Sequence, residues 1–279
     1  MDFQNELPIY EASLGHAFGC SVKGSSHELN QLPCQDAYSI WTGASSGNPY
    51  IILAVADGHG DKKHDLSQYG SFLAVKAAID EMLSFCATFG LDDPAVFKKA
   101  FKSDFPRRLC RKWRGLVKED AAERLKEEMD SDEQKIVSRY GTTLLVAFIM
   151  ADSILMAQIG DGDILFVRND SWIESIFDED SGLIGSETYS LSSPDAHKLL
   201  QTAIIDRGDG GLLILATDGL SNAFADQNQF HVFSHSLLDR IKEYGMQAVS
   251  SSVPAWLNKY SHEGSGDDIT LALNYIKQP

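Results

Sequence analysis

Three apolar segments in the middle of the chain constrain its fold most strongly, because the joins between them are very short. Residues 142–150, 153–159 and 163–168 are apolar and bounded by turn residues, a pattern that predicts β-strands. Ala151-Asp152 separates the first pair of segments, and a GDGD turn separates the second pair. Joins of this length permit antiparallel hairpins and leave no room for crossover helices.

Strands and helices are also predicted on either side of this region. Residues 51–56, 212–217 and 269–276 are further apolar strand candidates. A second helical region begins at Asp93-Pro94, an N-cap followed by a proline, and is interrupted at Pro106. An amphipathic helix is predicted before it, where apolar residues recur at alternating steps of three and four; they are Phe72, Val75, Ile79, Met82, Cys86 and Phe89.

The order of these elements predicts the fold class. A strand, two helical regions and then several strands form neither a repeating βαβ pattern nor an all-β chain. We therefore expect an α+β fold, in which largely antiparallel sheet is covered by helices. The sequence has no internal repeat and no low-complexity linker, which favours a single domain over residues 1–279.

Composition and charge argue against several classes of function. The 279 residues are 43% hydrophobic, enough for a substantial core, and a formal net charge of −16 argues against nucleic-acid binding. No apolar run reaches the roughly 18 to 20 residues that span a membrane, and the acidic start lacks the features of a signal peptide. We therefore expect a cytoplasmic protein whose four widely spaced cysteines are reduced.

Charge is segregated within the second helical region. Residues 98–118 contain nine Lys or Arg and a single acid, Asp104, whereas residues 119–133 contain eight acids and two bases. Such runs are typical of solvated helix faces with charge pairs three or four residues apart. An interaction surface is the alternative interpretation.

Acidic residues occur where the predicted strands end. The acids at these positions are Asp36, Asp57, Asp161, Asp163, Asp218, Asp267 and Asp268. Aspartate favours turns, so each one alone is explained as a turn or a cap. Several carboxylates at one rim would repel each other, however, and Mg²⁺ or Mn²⁺ would compensate their charge. A carboxylate-bound centre with two metal ions commonly activates water against a phosphoryl group.

Six motifs carry a resemblance to a known family. They are PCQDAY around Asp36, ADGHGD (56–61), YGTTLLVA (140–147), IGDGDILFV (159–167), ATDGL (216–220) and GDDIT (266–270). Their order and approximate spacing resemble the metal-dependent protein phosphatases of type 2C, the PPM family. The resemblance runs from about residue 15 to 276 and is that of a divergent, bacterial-like member.

The resemblance implies a four-layer α-β-β-α sandwich, two antiparallel sheets flanked by helices, with a binuclear Mn²⁺ or Mg²⁺ centre at one end. In the family's pattern Asp57 bridges the two ions and the carbonyl of Gly58 binds one of them. Asp218 and Asp267 bind the first ion, and Asp36 binds the second directly or through water. The implied reaction is hydrolysis of phosphoserine and phosphothreonine in proteins by the water between the ions.

The resemblance implies roles for other residues as well. His59 matches the family's general acid, and Asp161 matches a ligand of a third, weaker metal site. Asp163 has no such match and is interpreted as a turn residue, while Asp268 is expected to support the ligands without binding metal itself. Residues 178–200 correspond to a variable flap beside the cleft.

The sequence departs from the family at three positions. Gln31 stands where an arginine often binds the phosphate, and His27 is a candidate to replace it, although an exposed loop histidine is an equal alternative. Gln35 replaces a glutamate that often precedes Asp36, and Asn222 replaces an acid near the third metal. These changes leave the ligands of the two principal ions in place. They are expected to alter the affinity for phosphate and the occupancy of the third metal site.

The leading interpretation is therefore a phosphatase that acts, as a monomer, on a phosphorylated protein. A catalytically silent phosphatase-like binding module is one alternative, which the presence of the four principal acids disfavours. A phosphomonoesterase for small molecules is another, because the same site would serve it.

Overall fold

The computed structural model describes residues 7–125, 132–170, 172–177 and 189–277. The strands in these ranges are β1 (Tyr10–Ala12), β2 (Gly15–Val22), β3 (Ala37–Ser45), β4 (Asn48–Ala56), β5 (Leu144–Ile149), β6 (Ser153–Ile159), β7 (Asp163–Arg168), β8 (Ile173–Ser175), β9 (Gln201–Asp206), β10 (Gly211–Ala216) and β11 (Ile269–Ile276). The helices are α1 (Ser25–Leu29), α2 (Ser67–Phe89), α3 (Pro94–Ser103), α4 (Phe105–Arg124), α5 (Glu133–Arg139), α6 (Ala196–Leu199), α7 (Asp218–Ser221), α8 (Gln227–Tyr244) and α9 (Met246–Tyr260). Residues 178–188 of the expected flap lie outside the described residues.

The strands form two sheets, and every pairing within them is antiparallel. One sheet has six strands in the order β1-β2-β11-β10-β7-β8, and the other has five in the order β3-β4-β5-β6-β9. The antiparallel α+β prediction and the two-sheet sandwich implied by the resemblance are therefore confirmed.

Of the two hairpins that the short joins permit, the structure contains one. β5 and β6 do pair, with Ile149 opposite Ile154. β6 and β7 belong to different sheets, because the chain crosses between the sheets within residues 160–162. Gly160 makes this crossing possible with a φ of +104°, a conformation that glycine adopts without strain.

Side chains on β4 show how the layers are held together. Ile51, Leu53 and Val55 point into an apolar core between the two sheets, whereas Ile52 and Ala54 pack against α2 and its neighbouring helices. A third core lies between the six-stranded sheet and helices α8 and α9. From Tyr50 to Ala56 the strand is apolar because both of its faces are buried there.

The helices over the five-stranded sheet follow their sequence signals closely. Asp93 caps α3 by accepting hydrogen bonds from the N–H groups of Ala95 and Val96, both at 3.1 Å. The helical region breaks after Ser103, and Pro106 lies in the first turn of α4, where a proline is tolerated.

The predicted buried stripe of α2 includes Phe72, and for this residue the prediction is wrong, because its side chain is 59% exposed. Small residues close to it in the helix face the sheet instead.

The remaining sequence expectations concern cysteines and membranes. Cys20, Cys86 and Cys110 are buried, and burial raises the pKa of each thiol to about 12. Within the described ranges, no helix is long and apolar enough to cross a membrane.

Candidate active site

Asp36 and Asp57 lie at the same end of the five-stranded sheet. Asp36 directly precedes β3, and Asp57 directly follows β4. The two strands are antiparallel, and their register places Ala37 opposite Ala56. The two aspartates are therefore neighbours at the point where both strands end.

The six-stranded sheet brings further acids to its own end. Asp218 follows β10 after Thr217, and Asp267 lies two residues before β11, which pairs with β10. Asp161 lies in the turn by which the chain crosses from β6 to β7. All five of the carboxylates predicted to bind metal are thus found at strand ends or in the crossing between the sheets.

A hydrogen bond from Thr217 ties the ends of the two sheets together. The Thr217 hydroxyl accepts the N–H of Thr270 at 2.9 Å, which leaves its own proton to donate to Oδ2 of Asp36, also at 2.9 Å. Thr217 is only 1% exposed, so this bond is sheltered from water. It holds the acids of one sheet against those of the other.

Crowding of the carboxylates raises their pKa values. Burial, and then the charges of Asp36 and Asp218, hold the pKa of Asp57 well above its usual range. Burial likewise raises the pKa of Asp36, and it raises that of Asp218 to about 6. Much of the surface of Asp267 is exposed. Its carboxyl group is nevertheless buried enough that its pKa is raised as well. Carboxylates that repel one another in this way are stabilised by a cation between them.

The oxygen atoms around Asp57 suit a hard cation. Oδ1 of Asp36 and Oε1 of Gln35 are buried and have no hydrogen-bond partner among the described residues. A Cβ on Gly58 would lie 2.8 Å from the carbonyl oxygens of both Gln35 and Ser67, so only glycine fits there. Oxygen ligands of this kind are those that Mg²⁺ and Mn²⁺ prefer.

The side chains need to move before they bind a metal ion. In the part of the chain that the structure describes, no group of three or more His, Cys, Asp and Glu side chains has a geometry that could hold one as it stands. The chemistry of the donors fits a divalent cation, whereas their present orientation does not.

His59 lies beside Asp57 and is packed against a second histidine. Its N–H donates to the carbonyl of Gly141 at 3.1 Å, and its ring centre lies 5.0 Å from that of His64. A Cβ on Gly141 would collide with both imidazoles, so glycine is required at this place. Burial, followed by the charge of His64, lowers the pKa of His59 to about 4.

The backbone of Asp57 is held by two threonines to which the sequence assigned no role. The carbonyl of Asp57 accepts the hydroxyl of Thr142 at 2.7 Å and the N–H of Thr143 at 2.8 Å, and its N–H donates to the hydroxyl of Thr143 at 3.0 Å. Both threonines are buried. The signal was present in YGTTLLVA, but its function as a clamp becomes visible only when β4 and β5 are paired.

Comparison with known proteins identifies the family. The family model described as protein phosphatase 2C matches residues 23–258. This chain belongs to the protein phosphatase 2C family. No curated protein sequence matches it.

Several solved structures of phosphatases are similar to this chain at low sequence identity. A bacterial serine phosphatase shares 17% identity at a TM-score of 0.64, over 94% of this chain and 98% of the other. The serine/threonine phosphatase Stp1 of Staphylococcus aureus shares 18% at a TM-score of 0.61, over 96% and 98%. The catalytic domain of PstP, in complex with two manganese ions, shares 19% at a TM-score of 0.54, over 94% and 98%. Likenesses of this degree establish the shared fold.

Two of the positions at which this protein phosphatase 2C departs from the family pattern are engaged in specific contacts. Asn222 donates from Nδ2 to Oδ2 of Asp218 at 3.0 Å. The backbone carbonyl of Gln35 accepts the N–H of Gly58 at 3.1 Å and the hydroxyl of Ser71. Gln31, at the position of the family's arginine, is exposed and has a left-handed φ of +56°.

Asp268 connects the loops that carry these residues. Its side chain is 2% exposed and accepts the N–H groups of Gly24 and Gln35, both at 2.6 Å. The Nδ1 atom of His27 lies 2.9 Å from Oδ2 of the same carboxylate. His27 therefore lies next to Asp268 and, through it, next to Asp267. Its role in binding phosphate remains a prediction.

Proposed function

We propose that this protein is a metal-dependent serine/threonine phosphatase that hydrolyses phosphoserine and phosphothreonine in other proteins. The observation that carries the proposal is the Thr217–Asp36 hydrogen bond, because it brings the acids of both sheets to one place. Membership of the protein phosphatase 2C family supports the reaction. The choice of metal is supported by two similar structures, PstP in complex with manganese and RsbX in complex with magnesium.

Four aspartates and one carbonyl are the proposed ligands of two cations. Asp57 would bridge them with the Gly58 carbonyl beside it, Asp218 and Asp267 would complete one site, and Asp36 would serve the other. The raised pKa values of all four aspartates support this assignment, because such carboxylates gain most from a positive charge. When bound, the cations supply the positive charge that activates water and offsets the charge of the phosphate.

The remaining residues are proposed to act on the substrate or to tune the site. His59 would pass a proton to the departing serine or threonine oxygen, and its fixed backbone supports that role; because its pKa is lowered to about 4, only a small fraction carries the proton at neutral pH. His27 would contact the phosphate while Asp268 fixes its ring. Asp161, which is exposed, would serve a third and weaker cation.

The proposal is tested by turnover of p-nitrophenyl phosphate and of a phosphothreonine peptide, with Mn²⁺ and with EDTA. We expect activity with Mn²⁺, none with EDTA, and a loss of at least about a hundredfold in Asp57→Asn. Asp92→Asn, a change at an exposed acid, is the matched control and should leave turnover unchanged.

Three results would separate the alternatives. Activity that survives EDTA or Asp57→Asn would refute the proposed chemistry. Bound metal without turnover of either substrate would favour a silent binding module. Turnover of small phosphates with none of the peptide would favour a small-molecule phosphomonoesterase.

A further inference from the structure

A groove lined by positive charge lies along one side of α4. Its volume is about 530 Å³, and it is bounded by α4 on one side and by Pro194 and His197 on the other. Its cations are Arg107, Arg111, Arg114 and Lys118. Their spacing of four, three and four residues places them on one face of the helix, in a stripe about 16 Å long.

The basic residues of α4 differ in their surroundings, and Lys118 at the end of the groove is ion-paired with Glu133 of α5, at 2.9 Å between Nζ and Oε1. Arg108 and Lys112 face α2 and form ion pairs with its acids, as expected of an ordinary solvated helix face. Arg107 and Arg111 are exposed and have neither an ion pair nor a hydrogen bond among the described residues. Like charges four residues apart on a helix destabilise it, so this pair lacks a structural explanation.

Hydrogen bonds that begin at Arg114 connect the groove to the backbone of Asp57 in the candidate active site. The Arg114 guanidinium donates to the carbonyl of Ser193 at 2.7 Å, which fixes the segment that forms the opposite wall. Three residues earlier, the hydroxyl of Ser190 accepts the N–H of Thr142 at 3.1 Å. The hydroxyl of Thr142 in turn donates to the carbonyl of Asp57 at 2.7 Å. The groove and the proposed catalytic residues are thus connected by a short series of direct contacts.

We propose that this groove binds an acidic segment of the phosphoprotein substrate, outside the residue that is dephosphorylated. Arginine guanidinium groups on a rigid helix suit carboxylates, and a stripe of this length matches about five residues of extended peptide. The rest of the protein repels such a partner, since the formal net charge is −16. Binding therefore depends on the groove, which makes it a selective docking site. This inference rests on the proposed function for the identity of its partner.

The test measures binding separately from catalysis. A fluorescein-labelled peptide with about six consecutive glutamates, enough to cover the stripe, is titrated with the protein and followed by fluorescence anisotropy. R107E/R111E should weaken binding at least tenfold, and the milder R107Q/R111Q should weaken it by a smaller factor. K99E/K102E, which changes two exposed lysines of α3 outside the groove, produces the same net charge and should leave the affinity within about twofold.

The kinetic arm uses a phosphothreonine peptide with and without an adjoining acidic segment. R107E/R111E should raise KM at least tenfold for the acidic substrate only, with kcat and the turnover of p-nitrophenyl phosphate unchanged. If neither wild type nor the variants hydrolyse any of these phosphates, the proposed function fails. The anisotropy measurement then still shows whether the groove binds the acidic peptide.

Three outcomes would overturn the proposal. The first is unchanged peptide affinity in R107E/R111E, and the second is equal weakening by both charge-reversal pairs, which would indicate bulk charge alone. The third is tighter binding of a labelled oligothymidine of equal charge that depends on Arg107 and Arg111, which would assign the groove to nucleic acid.

Discussion

Replacing Asp218 by asparagine is expected to stabilise the metal-free protein, although it removes a proposed ligand. The folded protein raises the pKa of this carboxyl from 3.8 to about 6, chiefly through burial. A raised pKa in an acid means that the ionised form destabilises the fold. That cost is absent below about pH 4, grows as the pH rises toward 6, and is complete at pH 7.5.

The size of the effect follows from the difference in pKa. A difference of about two, at about 1.4 kcal/mol for each pKa unit, gives about 3 kcal/mol at pH 7.5. For a protein of this length, about 2 °C of Tm corresponds to each kcal/mol, so Asp218→Asn should raise Tm by about 6 °C in EDTA. The asparagine carbonyl can still accept the hydrogen bond from Asn222.

Thermal unfolding in EDTA and in Mn²⁺ tests both the expected rise in Tm without metal and the expected fall in Tm with metal. In EDTA the variant should melt above wild type at pH 7.5, with the gap closing near pH 4. With Mn²⁺ at a thousand times its Kd the order should reverse, because wild type alone gains about 4.1 kcal/mol, which exceeds the cost of about 3 kcal/mol. Asp92→Asn, at an exposed acid, should shift neither curve. An Asp218→Asn protein that melts lower in EDTA at every pH would refute the claim that the ionised Asp218 carboxylate destabilises the metal-free fold.

Three further predictions concern single residues. His59→Gln should lower kcat for a phosphothreonine peptide about a hundredfold but leave p-nitrophenyl phosphate nearly unaffected, since that leaving group needs no proton; equal losses on both would reject the general-acid role. His27→Ala should raise KM with little change in kcat, and an unaltered KM would reject its contact with phosphate. Gly58→Ala should cost about 1 to 3 kcal/mol in a denaturation experiment because its Cβ would meet two carbonyls, whereas Gly60→Ala, with 3.7 Å to the nearest atom, should cost little; equal costs would contradict the packing argument.

The strands predicted from sequence are buried on both faces and mainly apolar, whereas β2, also mostly buried, was not predicted because Gly, His and Ser interrupt its apolar residues. β6, β7 and β11 have the predicted bounds, because their apolar runs stop where the strands stop. β3 and β9 were not predicted, since both carry polar residues and most of their side chains are only partly buried. Sheet membership could not be predicted either. The length of the join at residues 160–162 permits a hairpin and a crossing equally, and partners elsewhere in the chain decide between them.

The candidate site was predicted as residues but not as contacts. Each acid stands beside a strand end, which is a local signal that the sequence shows directly. The hydrogen bond from Thr217 to Asp36 joins positions 181 residues apart, and the contact of His27 with Asp268 joins positions 241 apart. Such contacts depend on how the two sheets pack, which hydrophobic periodicity does not specify.

Calorimetric titration of Mn²⁺ into metal-free protein tests the central claim most directly, since it counts the ions and needs no substrate. Wild type is predicted to bind two ions tightly, with a third, weaker event that Asp161→Asn removes. Asp57→Asn is predicted to lose both tight ions, because the bridging carboxylate serves each of them. Wild type that binds no ion tightly, or an Asp57→Asn variant that still binds two, would contradict the account.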